Sequence, residues 1–308
     1  MNVMVHPSTP SAQGLEAALK RVDSRSLPDV VNAELTNNCN LMCAKCPTYE
    51  AGRGRGYMSR DRFVKILEDI RLGRDQVASM GLSGGGEAIL HPEVFDFIAL
   101  ARDVPNLAGV HAATNALGLT PEAGRSLLEA GLTSLKISLD TNDPKLFLRY
   151  NRVDGYEQVV ENISRFFEIR KAGDYQCRAE LKVTLYKKDE AFMREMREKW
   201  EPIVGTVRFT GMHNWLGLRG ANPKMIRTTP CQIPWNEVQI LWDGQITLCC
   251  FDTMEGFINM GNVDDISLTD YWKTSETMRS LRRAQLTSDF KDHPVCGNCG
   301  VNEYERDI

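Results

Sequence analysis

Apolar and polar positions change rhythm along the chain in a regular order. Val30–Leu35 is a short β-branched and apolar run and predicts a strand. After Ser59, suited to cap a helix, Phe63, Ile66, Leu67 and Ile70 recur on one helical face. Val77–Leu82 predicts a strand, Glu93–Arg102 a helix, Gly109–Thr114 a strand and Pro121–Ala130 a helix whose proline fits a first turn. The alternation continues with Ser134–Leu139 as strand, Tyr156–Lys171 as helix, Ala179–Tyr186 as strand, Ala191–Trp200 as helix and Thr206–Thr210 as strand. Strands that alternate with helices in this way predict an α/β fold with a parallel sheet, open or closed into a barrel. In such barrels the chemistry sits at the C-terminal ends of the strands.

Past Arg219 the pattern changes. Glu237–Trp242 and Gln245–Cys250 flank Asp243-Gly244, a two-residue hairpin signal. Ser267–Arg283 reads as one helix with Leu268, Tyr271, Trp272, Met278 and Leu281 as its apolar positions, and Cys296-Gly-Asn-Cys299 closes the region. Before the first strand, only Gly14–Val22 suggests a short helix. The chain thus divides into an extension over 1–28, an α/β unit over 29–214 and a smaller unit over 215–308, with the boundary near 215–228. No internal repeat is visible.

The chain has 308 residues, 42% hydrophobic and 25% charged, enough for a large core and ordinary for a globular protein. No apolar run approaches the ~18–20 residues that cross a bilayer. The first residues lack the basic-then-apolar pattern of a signal peptide. A cytoplasmic location without a membrane partner is expected. A net charge of −4 and a pI near 5.8 weigh against nucleic acid as a partner and are compatible with a cationic small substrate.

The cysteines sharpen this picture. Of nine, eight fall in two groups near the chain ends, which points to metal ligation rather than disulfides, and Cys177 reads as a small core residue. Cys39, Cys43 and Cys46 follow the first strand with C-x3-C-x2-C spacing. Three thiolates can hold three irons of a [4Fe–4S] cube and leave the fourth open; a zinc loop, or a cluster with a distant fourth ligand, is the other reading. Cys231, Cys249, Cys250, Cys296 and Cys299 offer enough thiols for one further cluster or for a structural zinc. If Cys249 and Cys250 lie on a strand, their side chains point to opposite faces, one toward metal and one toward the barrel mouth. A thiol S–H is weaker than an alkyl C–H bond, so the second thiol can return hydrogen to a carbon radical. The plainer reading is that the spare cysteine only packs.

Cys39-Asn-Leu-Met-Cys43-Ala-Lys-Cys46, with Gly84-Gly85-Gly86-Glu87 after the second strand, Thr114-Asn115 after the third and Ser138-Leu139-Asp140 ending the fourth, resembles the radical S-adenosylmethionine (SAM) superfamily. The resemblance implies a partial (β/α)6 barrel in which Cys39, Cys43 and Cys46 hold the SAM-cleaving cluster. It implies that Gly84, Gly85, Gly86 and Glu87 hold the methionine amino group, that Asn115 and Ser138 lie near SAM, and that Arg149 or Arg152 meets the carboxylate. One departure is Lys45, where the family often has an aromatic residue touching the adenine.

The C-terminal cysteines, with Trp242-Asp243-Gly244, Gly261-Asn262-Val263 and the closing C-x2-C, resemble the twitch or SPASM extensions of the same superfamily. They imply a small β-hairpin-plus-helix unit with one auxiliary [4Fe–4S] cluster, held by Cys231, Cys296, Cys299 and one of the adjacent pair. Family spacing from Gly244 makes Cys249 the ligand. The whole chain, however, is similar to radical SAM epimerases of aminoglycoside biosynthesis, which makes Cys249 the hydrogen donor and leaves Cys250 for the cluster. That likeness implies inversion of an aminoglycoside sugar carbon, SAM as co-substrate, and an electron donor such as flavodoxin or ferredoxin. An alcohol dehydrogenase acting on an aminocyclitol or amino sugar, and a peptide-modifying enzyme, are the alternatives. Asp243, Asp252 and Glu255 are candidate contacts for a cationic sugar, solvated loop charge being the other reading. His91, His111 and His213, at or near strand ends, read as structural.

Overall fold

The computed structural model describes residues 19–20, 22–212, 214–217, 231–254 and 256–299. The expected helix Gly14–Val22 lies almost wholly outside these residues, as do His213, Glu255 and most of the expected boundary segment. One eight-stranded sheet organises the chain, in the order β6-β5-β4-β3-β2-β1-β7-β8. Its strands are β1 Val30–Ala33, β2 Ser79–Leu82, β3 Val110–Thr114, β4 Ser134–Ser138, β5 Arg178–Leu185, β6 Val207–Gly211, β7 Glu237–Ile240 and β8 Ile246–Thr247. Every pairing from β6 across to β7 is parallel, and β8 returns antiparallel on β7. The expected six-strand α/β unit is thus a partial barrel. The C-terminal hairpin extends the same sheet, because β7 pairs with β1.

Helices α1 Arg60–Leu72, α2 Val94–Arg102, α3 Pro121–Glu129, α4 Pro144–Asn151, α5 Tyr156–Ala172 and α6 Glu190–Val204 connect the barrel strands. Ser59 caps α1 by accepting the Arg62 N–H, and the four apolar positions read from the sequence are its buried face. Side chains alternate across the sheet. On β4, Leu135 and Ile137 enter the core while Lys136 stays exposed on the other face. The concave face is therefore polar: a Cβ at Gly81 would lie 2.1 Å from Asn32 Oδ1 and 2.6 Å from His111 Nε2. The convex face is packed by the helices. Phe63 of α1 stacks on Phe97 of α2 at 4.2 Å between ring centroids.

Three elements differ from the pattern reading. Helix α4 was not expected, although Asp143 caps it by accepting the N–H groups of Lys145 and Leu146 and Pro144 occupies its first turn. The single C-terminal helix is two, α8 Leu268–Thr274 and α9 Glu276–Thr287, after the short α7 Ile233–Asn236 and before the short α10 Pro294–Gly297. Ser275 breaks it, with an extended backbone and a side chain that accepts the Met278 N–H. The hairpin strands are also shorter than expected, since β8 ends at Thr247.

Phe63 is fully buried in the α1–α2 contact. Phe63→Ala is expected to cost about 3–5 kcal/mol, read as a lower midpoint in anaerobic chemical denaturation.

Candidate active site

The three-cysteine loop leaves β1 at the C-terminal rim. Cys39, Cys43 and Cys46 line one cavity together with Gly84, Gly85 and Gly86. Helix α4 cradles the loop from outside: Met42 N–H donates to Asn151 O at 3.0 Å and Ala44 N–H to Tyr150 O at 2.7 Å. The Cys43 thiol donates to Asn151 Oδ1 at 3.1 Å; turned over, that amide donates to a thiolate. Thr48 Oγ1 lies 2.9 Å from Cys46 Sγ and donates to Gly85 O at 2.7 Å. Asn115 Nδ2 donates to Cys39 Sγ at 3.7 Å. Burial pushes the Cys39 thiol up to about 11 and the Cys43 thiol up to about 12, and neighbouring thiols add to both. Such thiols give up protons when cations arrive, as iron binding requires.

The glycine loop packs closely against the segment that leads from β1 into the cysteines. A Cβ on Gly86 would sit 2.4 Å from Asn38 O, and one on Gly84 would sit 2.5 Å from Glu34 Cγ. Glu87 is buried, its Oε2 accepts the Asn115 N–H at 2.8 Å, and its Oε1 has no partner among the described residues. Burial pushes this carboxyl up to about 7. An unpartnered buried carboxylate oxygen suits an ammonium group.

Other expected contacts lie elsewhere. Ser138 ends β4 and is not among the residues that line the thiol cavity. Arg149 and Arg152 are exposed and also lie off it. Helix α4 buries Phe147 and Asn151, which turns Arg149 to solvent, and Arg152 is the left-handed C-cap. The guanidinium that sequence reasoning missed beside the loop is Arg55, which donates to Asn37 O and Thr48 O and stands 5.0 Å from the Tyr49 ring. Lys45 pairs with Asp140, whose Oδ1 accepts the Thr184 N–H at 2.8 Å. The aromatic rings at the cavity are Tyr49 and Trp215, and the Trp215 indole donates to Lys45 O at 2.8 Å.

A second chamber is lined by Cys231, Cys249, Cys296 and Cys299 within largely apolar walls. Cys250 is not on it. Glu237 and the chamber thiol Cys231 act on it most among its charged neighbours, followed by Lys182 of the polar barrel face. Of the adjacent thiols, Cys249 thus lines the chamber and Cys250 does not, although the pair does not lie on a strand. The chain leaves the ladder after Thr247, where the Asp252 carboxylate accepts from Thr247 Oγ1, from Phe257 N at 2.8 Å and from Ile258 N at 3.2 Å. Such side-chain bonds compete with a ladder. They also correct the expectation for Asp252, which is fully buried and structural rather than a sugar contact. Asp243 lies in the hairpin turn, its Oδ1 accepting the Gln245 N–H at 3.3 Å. Burial pushes Cys249 far up and Cys250 up to about 12. Among the described residues no three His, Cys, Asp or Glu side chains converge as ligands of one metal ion; the fit to clusters rests on the thiol sets and their chambers.

Of the histidines, His91 is structural, bonding Met58 O at 2.9 Å and accepting the Glu93 N–H at 3.1 Å. His111 faces the barrel interior, and burial, with Lys136 nearby, pushes it down to about 4.

A parallel partial barrel with a three-thiol loop at its rim and a second thiol chamber defines a class of iron–sulfur enzymes. The chain carries a Radical SAM superfamily domain over residues 33–172 and the iron–sulfur cluster-binding SPASM domain over residues 231–300. These domains imply a [4Fe–4S] cluster with SAM at the first site and further iron–sulfur ligation at the second. The GTP 3′,8-cyclase of Limosilactobacillus fermentum is 31% identical over 145 residues, 45% of this chain and 41% of the relative. Molybdenum cofactor biosynthesis protein 1 of Mus musculus is 28% identical over 180 residues, 53% of this chain and 28% of the relative. The matched part thus spans less than half of these curated relatives. Among solved structures, BtrN in complex with AdoMet and 2-DOIA superposes with a TM-score of 0.62 at 16% identity, over 92% of this chain and 96% of BtrN. Streptococcus suis SuiB bound to the precursor peptide SuiA gives 0.69 at 15% identity, over 99% and 78%. Both likenesses concern the fold. No helix among the described residues is long and apolar enough to cross a membrane.

Asn151→Ala is expected to reduce SAM cleavage about 10–100-fold, measured as 5′-deoxyadenosine formed under reductant. Below about pH 7 Glu87 is protonated before an ammonium binds, and the bound ammonium favours the ionised form. Binding then expels a proton and weakens as pH falls. The anaerobic Kd for SAM should therefore rise up to about tenfold per pH unit below that point, and Glu87→Gln should flatten the profile.

Proposed function

We propose that this protein is a radical SAM epimerase of aminoglycosides, converting neomycin C to neomycin B by inverting C-5‴. The observation that carries the reading is the fifth C-terminal thiol. A chamber lined by four cysteines leaves one of the group, Cys250, off its lining, with Glu237, Cys231 and Lys182 as charged neighbours. When bound, the first cluster and SAM supply a 5′-deoxyadenosyl radical that takes a hydrogen atom from the sugar carbon. The chain's own residues do the rest. Gly84, Gly85, Gly86 and Glu87 hold the methionine end, with Asn115 fixed by the Glu87 carboxylate. Asn32 donates to Glu237 Oε2 at 3.1 Å, which orients a half-buried carboxylate toward the barrel interior for a substrate ammonium. Lys136 and Lys182 offer donors to sugar hydroxyls.

One thiol of the Cys249–Cys250 pair returns a hydrogen atom to the opposite face of the carbon. The S–H bond breaks, the new C–H bond forms, and one electron from a flavodoxin- or ferredoxin-type donor with one proton from solvent restores the thiol. The resemblance assigns that hydrogen to Cys249, and the chamber geometry favours Cys250 with Cys249 as ligand. Residues 29–214 act as the radical unit and 215–308 as the auxiliary-cluster unit, in a cytoplasmic setting.

A second reading is an alcohol dehydrogenase on an amino sugar or aminocyclitol. It draws on the near full-length likeness to BtrN, solved with 2-DOIA. It needs the auxiliary cluster but no donor thiol.

One assay separates the two: neomycin C, SAM and reductant under anaerobic conditions in deuterated water, with wild type, Cys249→Ala and Cys250→Ala. The epimerase gives neomycin B carrying one solvent deuterium. Loss of the donor keeps 5′-deoxyadenosine formation and abolishes the epimer, while loss of the ligand lowers iron content. A ketone product without deuterium, or full epimerisation in both variants, overturns the proposal.

A further inference from the structure

Helix α9 brings a glutamine to the wall of the second thiol chamber. Gln285 is fully buried and lines the cavity with Cys231, Cys249, Cys296 and Cys299. Its Oε1 accepts the Cys231 backbone N–H at 2.8 Å. A backbone N–H can only donate, so the amide cannot be turned over. Nε2 is therefore fixed on the other side of the amide, and it has no partner among the described residues. A buried amide donor left unpaired costs about 1–3 kcal/mol. The neighbouring walls, Leu216, Ile233, Leu248 and Phe251, have no side-chain acceptor to relieve it.

We propose that Gln285 donates a hydrogen bond to the auxiliary iron–sulfur cluster and raises its reduction potential. Cluster sulfurs accept hydrogen bonds, and such bonds are one means by which a protein tunes cluster potential. Reduction adds negative charge to the cluster, so a fixed N–H donor stabilises the reduced state more than the oxidised one. The Cys231 N–H serves as the anchor: the residue that supplies a thiol also orients the amide. This inference rests on the SPASM cluster and the chamber, not on the sugar reaction, and stands or falls separately from it.

The test is an EPR-monitored redox titration of the reconstituted full-length holoenzyme with SAM bound, which keeps the two cluster signals apart. Gln285→Met removes the donor at similar length, and Gln285→Glu keeps the acceptor for Cys231 while replacing Nε2 by oxygen. Both are expected to lower the midpoint potential of the auxiliary cluster at wild-type iron content. In the wild type, side-chain 15N-labelled glutamine should show a nitrogen coupling to the reduced auxiliary cluster in pulsed EPR. That measurement decides the matter where a variant fails to assemble its cluster. A wild-type midpoint in a fully loaded Gln285→Met, or no glutamine coupling in the wild type, overturns the proposal.

Discussion

The carboxylate of Glu34 is fully enclosed, and each of its contacts reaches a different part of the chain. It accepts the Gly85 N–H at 2.7 Å, the Trp242 N–H at 3.2 Å and Arg53 Nη2 at 2.8 Å, and Arg53 in turn donates to Thr253 O. One ion pair therefore joins the glycine loop of the first site, the hairpin turn of the SPASM unit and the segment that follows the adjacent cysteines. A buried pair of this kind is demanding, because losing one partner strands the other charge at about 3–5 kcal/mol. Here the pair has further hydrogen bonds to hold it in place. This brace ties the glycine loop to the segment that follows Cys249 and Cys250.

The barrel was legible in the sequence because its signals repeat. Alternation on strands and one-sided apolar spacing on helices are summed over many residues, and the order of the six strands follows from them. Single local signals were overridden by the longer pattern. Asp143-Pro144 marks the start of α4, yet its eight residues were too few to stand out between two stronger elements. Ser275 interrupts an apolar spacing that reads straight through it. The early end of β8 depends on Asp252, whose bonds bring Phe257 and Ile258 back onto the chain ahead of it.

The same division holds at the sites. Thiol spacing could be read, since metal chemistry confines cysteines to short intervals. The polar residues that support the thiols could not. Asn151 stands 108 positions from Cys43, and Gln285 stands 54 from Cys231. Neither carries a periodic signal, and each acquires meaning only when the sheet folds. Arg149 and Arg152, close to the site in sequence, are exposed, one on α4 and the other at its C-cap. Lys45, which departs from the family pattern, is tied to Asp140, and Trp215 supplies a ring to the cavity from a distant segment.

The parallel pairing of β7 with β1 has one more consequence. In many two-part proteins the second part is an appendage that can be trimmed away. Here it finishes the first part, because β7 covers one whole side of β1 from Val30 to Ala33. A chain shortened ahead of β7 would leave those backbone groups bare at a sheet edge, beside the buried side chains of Val31 and Ala33. The truncated barrel would then tend to recruit other chains along that edge, so the two units must be inherited, expressed and engineered as one piece.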